Sequence, residues 1–227
     1  IEYREIVHAA VVRAQTPREK AIKLWGKNGL EIWEKLQSAY ITQKAYIEDP
    51  TTDFHTYMAK LTGLERKYAK GVNFAVAFVM GLQSFAETLG WIGEDGKPTQ
   101  KAIDTLNTYH SNVPFVKAVG TAMTHEAQEN GYTASLLGRR AHYDLWEPKF
   151  RDGDGPRAKA LPLEKAKEAY GDKLKRSMTH AALNRFTQMG GADMMKTSMA
   201  QIWESGLLND DDLVVSLTVH DELDGSV

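Results

Sequence analysis

Most of the chain repeats its apolar residues at helical spacing, and near the end that pattern gives way to a run that only a strand explains. Leu213-Val214-Val215-Ser216-Leu217-Thr218-Val219 is a short, β-branched, apolar run. It drives straight into His220-Asp221-Glu222, and Leu223 to Val227 reads as the returning strand. Upstream, Thr16-Pro17-Arg18-Glu19 has the form of a helix start. Thr16 is placed to cap, Pro17 suits the first helical position and Glu19 stands three residues after the cap. Ile22, Trp25, Ile32, Trp33, Leu36 and Tyr40 follow at roughly helical spacing, with Gly29 read as a break and Asp49-Pro50 as the end. Further helices are expected over Phe54–Leu61, Glu65–Met80, Leu82–Leu89, Lys101–Tyr109 and Pro114–Glu129. A small hairpin is expected about Gly138, and a helix from Lys173 to about Gly206 with a soft point at Gly190-Gly191. Residues 144–172 carry the weakest pattern, and Asp152-Gly153-Asp154-Gly155-Pro156 must be loop. The class this order implies is α+β: a helical block, then helices packed on an antiparallel hairpin.

At 227 residues the chain is long enough to bury a sizeable core, and 42% apolar with 26% charged residues is the composition of a globular protein. The absence of Cys removes disulfides, thiolate zinc sites and cysteine nucleophiles. Mean hydropathy is −0.43, and no apolar run approaches the roughly 20 residues of a membrane helix. Net charge is −2, which exerts no global pull on nucleic acid. Residues 139–176, however, hold 11 Lys/Arg against 7 Asp/Glu. The chain starts at Ile1 and stops within an apparent strand, so both ends are expected to be cut from something longer.

Four constellations bear on chemistry. Asp221-Glu222 places adjacent carboxylates at a β-turn, where they either form a plain polar turn or jointly ligate a hard cation such as Mg²⁺. An apolar strand running into two acids favours the cation, because uncompensated carboxylates there are costly. Arg66, Lys70, Phe74 and Phe78 recur every four residues, and four helical residues turn about 400°, so they form one slowly rotating stripe. Two cations followed by two aromatic faces suit a nucleoside triphosphate lying along a helix, or simply an amphipathic helix with two solvated cations and two core rings. His180, Asn184 and Gln188 recur at four-residue spacing and offer neutral hydrogen-bonding groups to a base edge or minor groove, or an ordinary polar helix face. Gly138-Arg139-Arg140 offers phosphate contacts of low specificity. No P-loop or Gly-rich dinucleotide turn is present.

Taken in order, these pieces resemble the family A DNA polymerases, the bacterial DNA polymerase I type and its phage relatives. Ile1-Glu2-Tyr3-Arg4 is similar to the tail of the first catalytic motif, Asp-x-Ser-x-Ile-Glu-x-Arg, and Asp53-Phe54-His55 to the Asp-Ile-His segment that follows. Arg66 to Phe74 resembles Arg-x-x-x-Lys-x-x-Asn-Phe/Tyr of the fingers helix, and Gly131-Tyr132 with Gly138-Arg139-Arg140 resembles the Gly-Tyr…Gly-Arg-Arg hairpin. His180…Asn184…Gln188 is similar to the helix before the last motif, with the His of phage-like members, and Val219-His220-Asp221-Glu222-Leu223 to the second catalytic motif. Two departures stand out. The catalytic Asp of the first motif belongs four positions before Ile1, and Phe78-Val79 replaces the family's Tyr-Gly.

The resemblance implies template-directed DNA synthesis, the transfer of a nucleotide from dNTP to a primer 3′-OH by a two-metal mechanism, in a bacterial or phage-infected cytoplasm. It implies Glu2 as the residue that blocks a ribose 2′-OH, His55, Arg66 and Lys70 as triphosphate contacts, and Phe74 and Phe78 beside the nucleotide. It implies Arg139, Arg140, His180, Asn184, Gln188 and His220 as DNA contacts, and Asp221 and Glu222 as catalytic metal ligands, with Lys70 as clamp or proton donor. It further implies two Mg²⁺ ions as cofactor, with Mn²⁺ able to substitute, and primer–template DNA, dNTPs and a processivity factor as expected partners. Residues 1–14 are expected to be palm, 15–172 fingers with a candidate insertion at 144–172, and 173–227 palm, the whole lacking one catalytic Asp and inactive alone. The rival reading is a non-catalytic helical nucleic-acid-binding module, which leaves the acids at the strand tip without a purpose.

Overall fold

The computed structural model describes residues 2–77, 80–150, 158–207, 214–219 and 222–226. Helix α1 (Glu2–Ala14) opens the chain, and α2 (Ala21–Trp25), α3 (Gly29–Leu36) and α4 (Ala39–Glu48) follow. The helix start expected at Thr16 becomes a 3-10 turn, Arg18–Lys20, with no side-chain cap. The Thr16 carbonyl instead accepts a hydrogen bond from Trp33 Nε1 at 2.8 Å. The break expected at Gly29 falls at Gly26, whose φ of 75° lies in the left-handed region, while Gly29 opens α3.

Next come α5 (Phe54–Thr62), α6 (Arg66–Ala77), α7 (Leu82–Leu89), α8 (Gln100–Asn112) and α9 (Pro114–Asn130), close to the expected spans. Helix α9 is the axis of the fold. Phe115, Val116, Ala118, Val119, Gly120, Ala122, Met123 and Ala127 are all buried along it, so it is enclosed on several sides. It packs against α1, α2, α3, α6, α8 and the later helix α11 (Ala182–Glu204), and its small residues let those neighbours close in. One polar tie reinforces this packing. Glu126 on α9 accepts hydrogen bonds from Arg13 Nε at 2.9 Å and Trp25 Nε1 at 3.1 Å, which joins α1 and α2 to the axis.

The hairpin expected about Gly138 is present as β1 (Tyr132–Ala134) and β2 (Arg140–His142), antiparallel, with Tyr132 opposite His142. The weakly patterned stretch after it holds β3 (Leu145–Pro148), β4 (Leu161–Pro162) and α10 (Leu163–Tyr170). The helix expected from Lys173 is corrected here. Leu174–Arg176 forms β5, which pairs with β3 to complete a sheet of order β4-β3-β5, and the helix proper, α11, starts only at Ala182. Pairing with Trp146-Glu147-Pro148 overrides the helical preference of the basic residues. The expected soft point at Gly190-Gly191 is likewise absent, since α11 runs through it. Strands β6 (Val214–Val219) and β7 (Glu222–Ser226) form the expected final hairpin, with Val219 opposite Glu222. The described architecture is α+β.

Candidate functional site

Two short sequence signals assemble the region around α5 and α6. Asp53 precedes α5 and caps it, accepting a hydrogen bond from the His55 backbone N–H at 3.1 Å. The same carboxylate accepts from Thr56 Oγ1 at 2.7 Å and from Arg66 Nε at 2.7 Å, which binds the first turn of α6 to the first turn of α5. One ring face away, Asn73 of α6 meets His55, Nδ2 to Nδ1, at 2.7 Å. Asn73 is 3% exposed, because it follows the buried Val72 and stands between Ala69 and Val76 on the apolar side of α6. Arg66 and Lys70 lie one turn apart on the exposed side of the same helix.

The electrostatics follow from these contacts. The Thr56 hydroxyl and the Arg66 guanidinium hold the Asp53 carboxyl down to about 2. Burial pushes the His55 imidazole below its ordinary range. Asp53 opposes that shift, and the charges of Arg66 and Lys70 add to it. The outcome is a neutral imidazole beside two permanent cations, a surface suited to a polyanion.

A second polar region surrounds the β1–β2 hairpin. Asp193 of α11, buried, accepts from Ser135 Oγ and, at 2.7 Å, from Arg139 Nε. Burial raises the Asp193 carboxyl, but those two hydrogen bonds, the charge of Arg139 and the Leu137 backbone N–H together leave it below its ordinary value. Arg139 is therefore tethered, while exposed Arg140 stacks over Tyr132 at 4.4 Å from the ring centroid. Arg185 of α11 stacks similarly over Tyr143 and donates to the His142 carbonyl.

A family model described as DNA polymerase family A matches residues 34–227. The chain belongs to this family. It is 28% identical over 220 residues to the DNA-directed DNA polymerase of Pseudomonas phage M6, covering 84% of this chain and 28% of the phage protein. It is 30% identical over 178 residues to DNA polymerase I of Synechocystis sp., covering 75% of this chain and 17% of that protein. Among solved structures it resembles the POL domain of Pol1 from M. smegmatis, in complex with DNA primer-template and dNTP. That likeness has a TM-score of 0.55 at 21% identity and covers 77% of this chain and 28% of that one, and it supports the fold.

The residues singled out in this family A chain fall in several separate places. His55, Arg66 and Lys70 come together at α5 and α6. Arg139 and Arg140 sit on the hairpin, and Asn184 and Gln188 on α11, half-buried and exposed respectively. His180 is not on α11 but in the 3-10 turn Thr179–Ala181 that leads into it, so the regular four-residue ladder starts only at Asn184. Glu222 opens β7 opposite Val219. Phe78, His220 and Asp221 lie outside the described residues, as do the side chains of Glu2, Phe74 and Glu222. Among the described residues no group of three or more His, Asp or Glu side chains is arranged to hold a metal. Among them, too, no helix is long and apolar enough to cross a membrane.

Asp53 and Asn73 entered the sequence argument only as motif letters. The signals for both were available: an Asp immediately before a helix start, and one amide set among residues on the apolar face of α6.

Proposed function

We propose that the chain carries the nucleotide-binding and second-motif part of a template-directed DNA polymerase, which transfers a nucleotide from dNTP to a primer 3′-OH. The observation that carries this reading is the joining of His55, Arg66 and Lys70 by the α5–α6 contact, in a chain of DNA polymerase family A. Two fixed cations and a neutral imidazole suit the β- and γ-phosphates of an incoming dNTP, and Phe74 lies one turn beyond Lys70, where the sugar would follow. The primer 3′-oxygen attacks the α-phosphorus, the bond to pyrophosphate breaks, and Lys70 is suited to clamp or protonate the leaving group.

Asp221 and Glu222 are hard oxygen donors adjacent in the sequence, and that donor set fits Mg²⁺ or Mn²⁺. Two ions held there with a carboxylate of the first motif would neutralise developing charge and lower the pKa of the 3′-OH. Glu2 is assigned to exclusion of the ribose 2′-OH, Phe78 to the nucleotide's surroundings, and Arg139, Arg140, His180, Asn184, Gln188 and His220 to primer–template DNA. Residues 1–14 and 173–227 are assigned to palm and 15–172 to fingers, with room for a processivity factor elsewhere in the enzyme.

The test is primer extension by a hybrid in which residues 1–227 replace the matching stretch of the Pseudomonas phage M6 polymerase. The hybrid is expected to extend a primer with Mg²⁺. Asp221→Ala should abolish extension and leave DNA affinity unchanged within about twofold. Equal loss of DNA binding would make Asp221 structural, and a hybrid that binds DNA but never extends it would favour the non-catalytic module.

A further inference from the structure

The contact between Asn73 and His55 holds more information than its length. Asn73 is buried, and its Oδ1 has no hydrogen-bond partner among the described residues, while its Nδ2 lies 2.7 Å from His55 Nδ1. An amide in this position has two orientations. With Nδ2 toward the ring, the group left over is a carbonyl oxygen. With the amide turned over, a buried NH₂ would face the place where that oxygen now finds nothing. Orphaned buried N–H groups are rarer in proteins than under-satisfied carbonyls, so the first orientation is the favoured one. In it the amide donates and Nδ1 accepts. A neutral imidazole whose Nδ1 accepts carries its hydrogen on Nε2. The neutral form is itself favoured by burial and by the flanking charges of Arg66 and Lys70, against the opposing charge of Asp53.

We infer that Asn73 is a positioning residue: its amide fixes His55 as the Nε2–H tautomer, so that the ring offers a neutral N–H donor to the phosphates gathered by Arg66 and Lys70. The inference deepens the proposed dNTP reading and rests on it for the identity of the anion. Its physical content is specificity of geometry. Arg66 and Lys70 attract any polyanion, whereas a single fixed N–H adds a direction. A protonated ring would add a third charge but lose the acceptor at Nδ1 that the amide needs. Asp53 completes the arrangement from the other side. Its hydrogen bond with the His55 backbone holds the start of α5, and its bond with Arg66 holds α6, so the ring is fixed at both its backbone and its Nδ1.

The test uses the 227-residue chain and inorganic tripolyphosphate, which carries the phosphates without base, sugar or catalysis. ¹⁵N–¹H spectra of the histidine rings at neutral pH report the tautomer of His55 in the wild type, with no variant needed. The expected result is hydrogen on Nε2. Asn73→Asp, which can only accept, should drive the hydrogen to Nδ1 or protonate the ring. Asn73→Leu should leave a mixture of tautomers and weaken tripolyphosphate binding about tenfold, the value of one hydrogen bond to a charged group. A wild-type ring protonated on Nδ1, or a ring spectrum unchanged in Asn73→Asp, overturns the proposal whatever the binding data show. If the spectra behave as expected but Asn73→Leu binds tripolyphosphate normally while Lys70→Ala does not, Asn73 does not position the donor and the phosphate site stands. If Lys70→Ala and Arg66→Ala also bind normally, the phosphate reading fails and the proposal falls with it.

Discussion

Asp53 shows how one side chain can set a local structure and a local field together. As cap of α5 and partner of Arg66 it has two separable roles. Asp53→Ala removes both and should cost about 1 kcal/mol, the usual value of a lost cap, because the half-exposed ion pair adds little. Asp53→Asn keeps the cap and should cost less. Thermal melts of both variants check this order, which would fail if the two melted alike. The pH dependence has a definite sign. The folded-state carboxyl titrates at about 2 against an ordinary 3.8, so its stabilisation is complete above pH 4 and is lost as pH falls from 3.8 toward 2. The stability gap between wild type and Asp53→Asn should therefore narrow over that interval. A gap that stays constant would mean that the carboxyl is not held by Thr56 and Arg66.

At the scale of elements, the helices were legible where local signals coincide with packing. Phe54–Thr62 starts after an Asp and ends at Gly63, and Pro114–Asn130 begins with Pro and ends before Gly131. The misreadings share a cause. Lys173 to Arg176 has the composition of a helix, but its partner strand, Trp146 to Pro148, lies far away in sequence, and no periodicity within the segment reveals it. Gly190-Gly191 looked like a weak point because composition cannot show what lies opposite. A Cβ on Gly190 would collide with the buried Glu5 carboxylate of α1, whereas one on Gly191 would meet nothing within 4 Å. Gly190 thus marks a close approach of α11 to α1. Gly190→Ala should destabilise the fold by about 1–3 kcal/mol through overpacking, and Gly191→Ala should stabilise it by about 0.5–1 kcal/mol through helix propensity. Denaturant melts showing the same sign for both would remove Gly190 from the α1–α11 contact.

For the whole molecule, α9 is what makes distant motifs neighbours. It packs on α1, α6 and α11, and the β1–β2 hairpin follows directly from its C-terminal end. Sequence order alone identified the candidate cations, because Arg66 and Lys70 are close in the chain. It could not show that Asp53 would reach Arg66 or that Asn73 would reach His55, contacts that depend on how α5 docks on α6. Likewise Gly138-Arg139-Arg140 suggests phosphate contacts of low specificity, and only the packing of α11 against the hairpin shows Arg139 tethered to Asp193. The central claim is that the α5–α6 surface receives the triphosphate of a substrate and not the backbone of a DNA strand. The most direct measurement is single-turnover incorporation by the hybrid polymerase with Arg66→Ala, in which the dissociation constants of dNTP and of primer–template DNA are obtained separately. The account predicts that dNTP binding weakens about tenfold or more, as expected for one lost charge-assisted hydrogen bond, with DNA affinity unchanged within twofold. Weakened DNA binding with unaltered dNTP binding would contradict it.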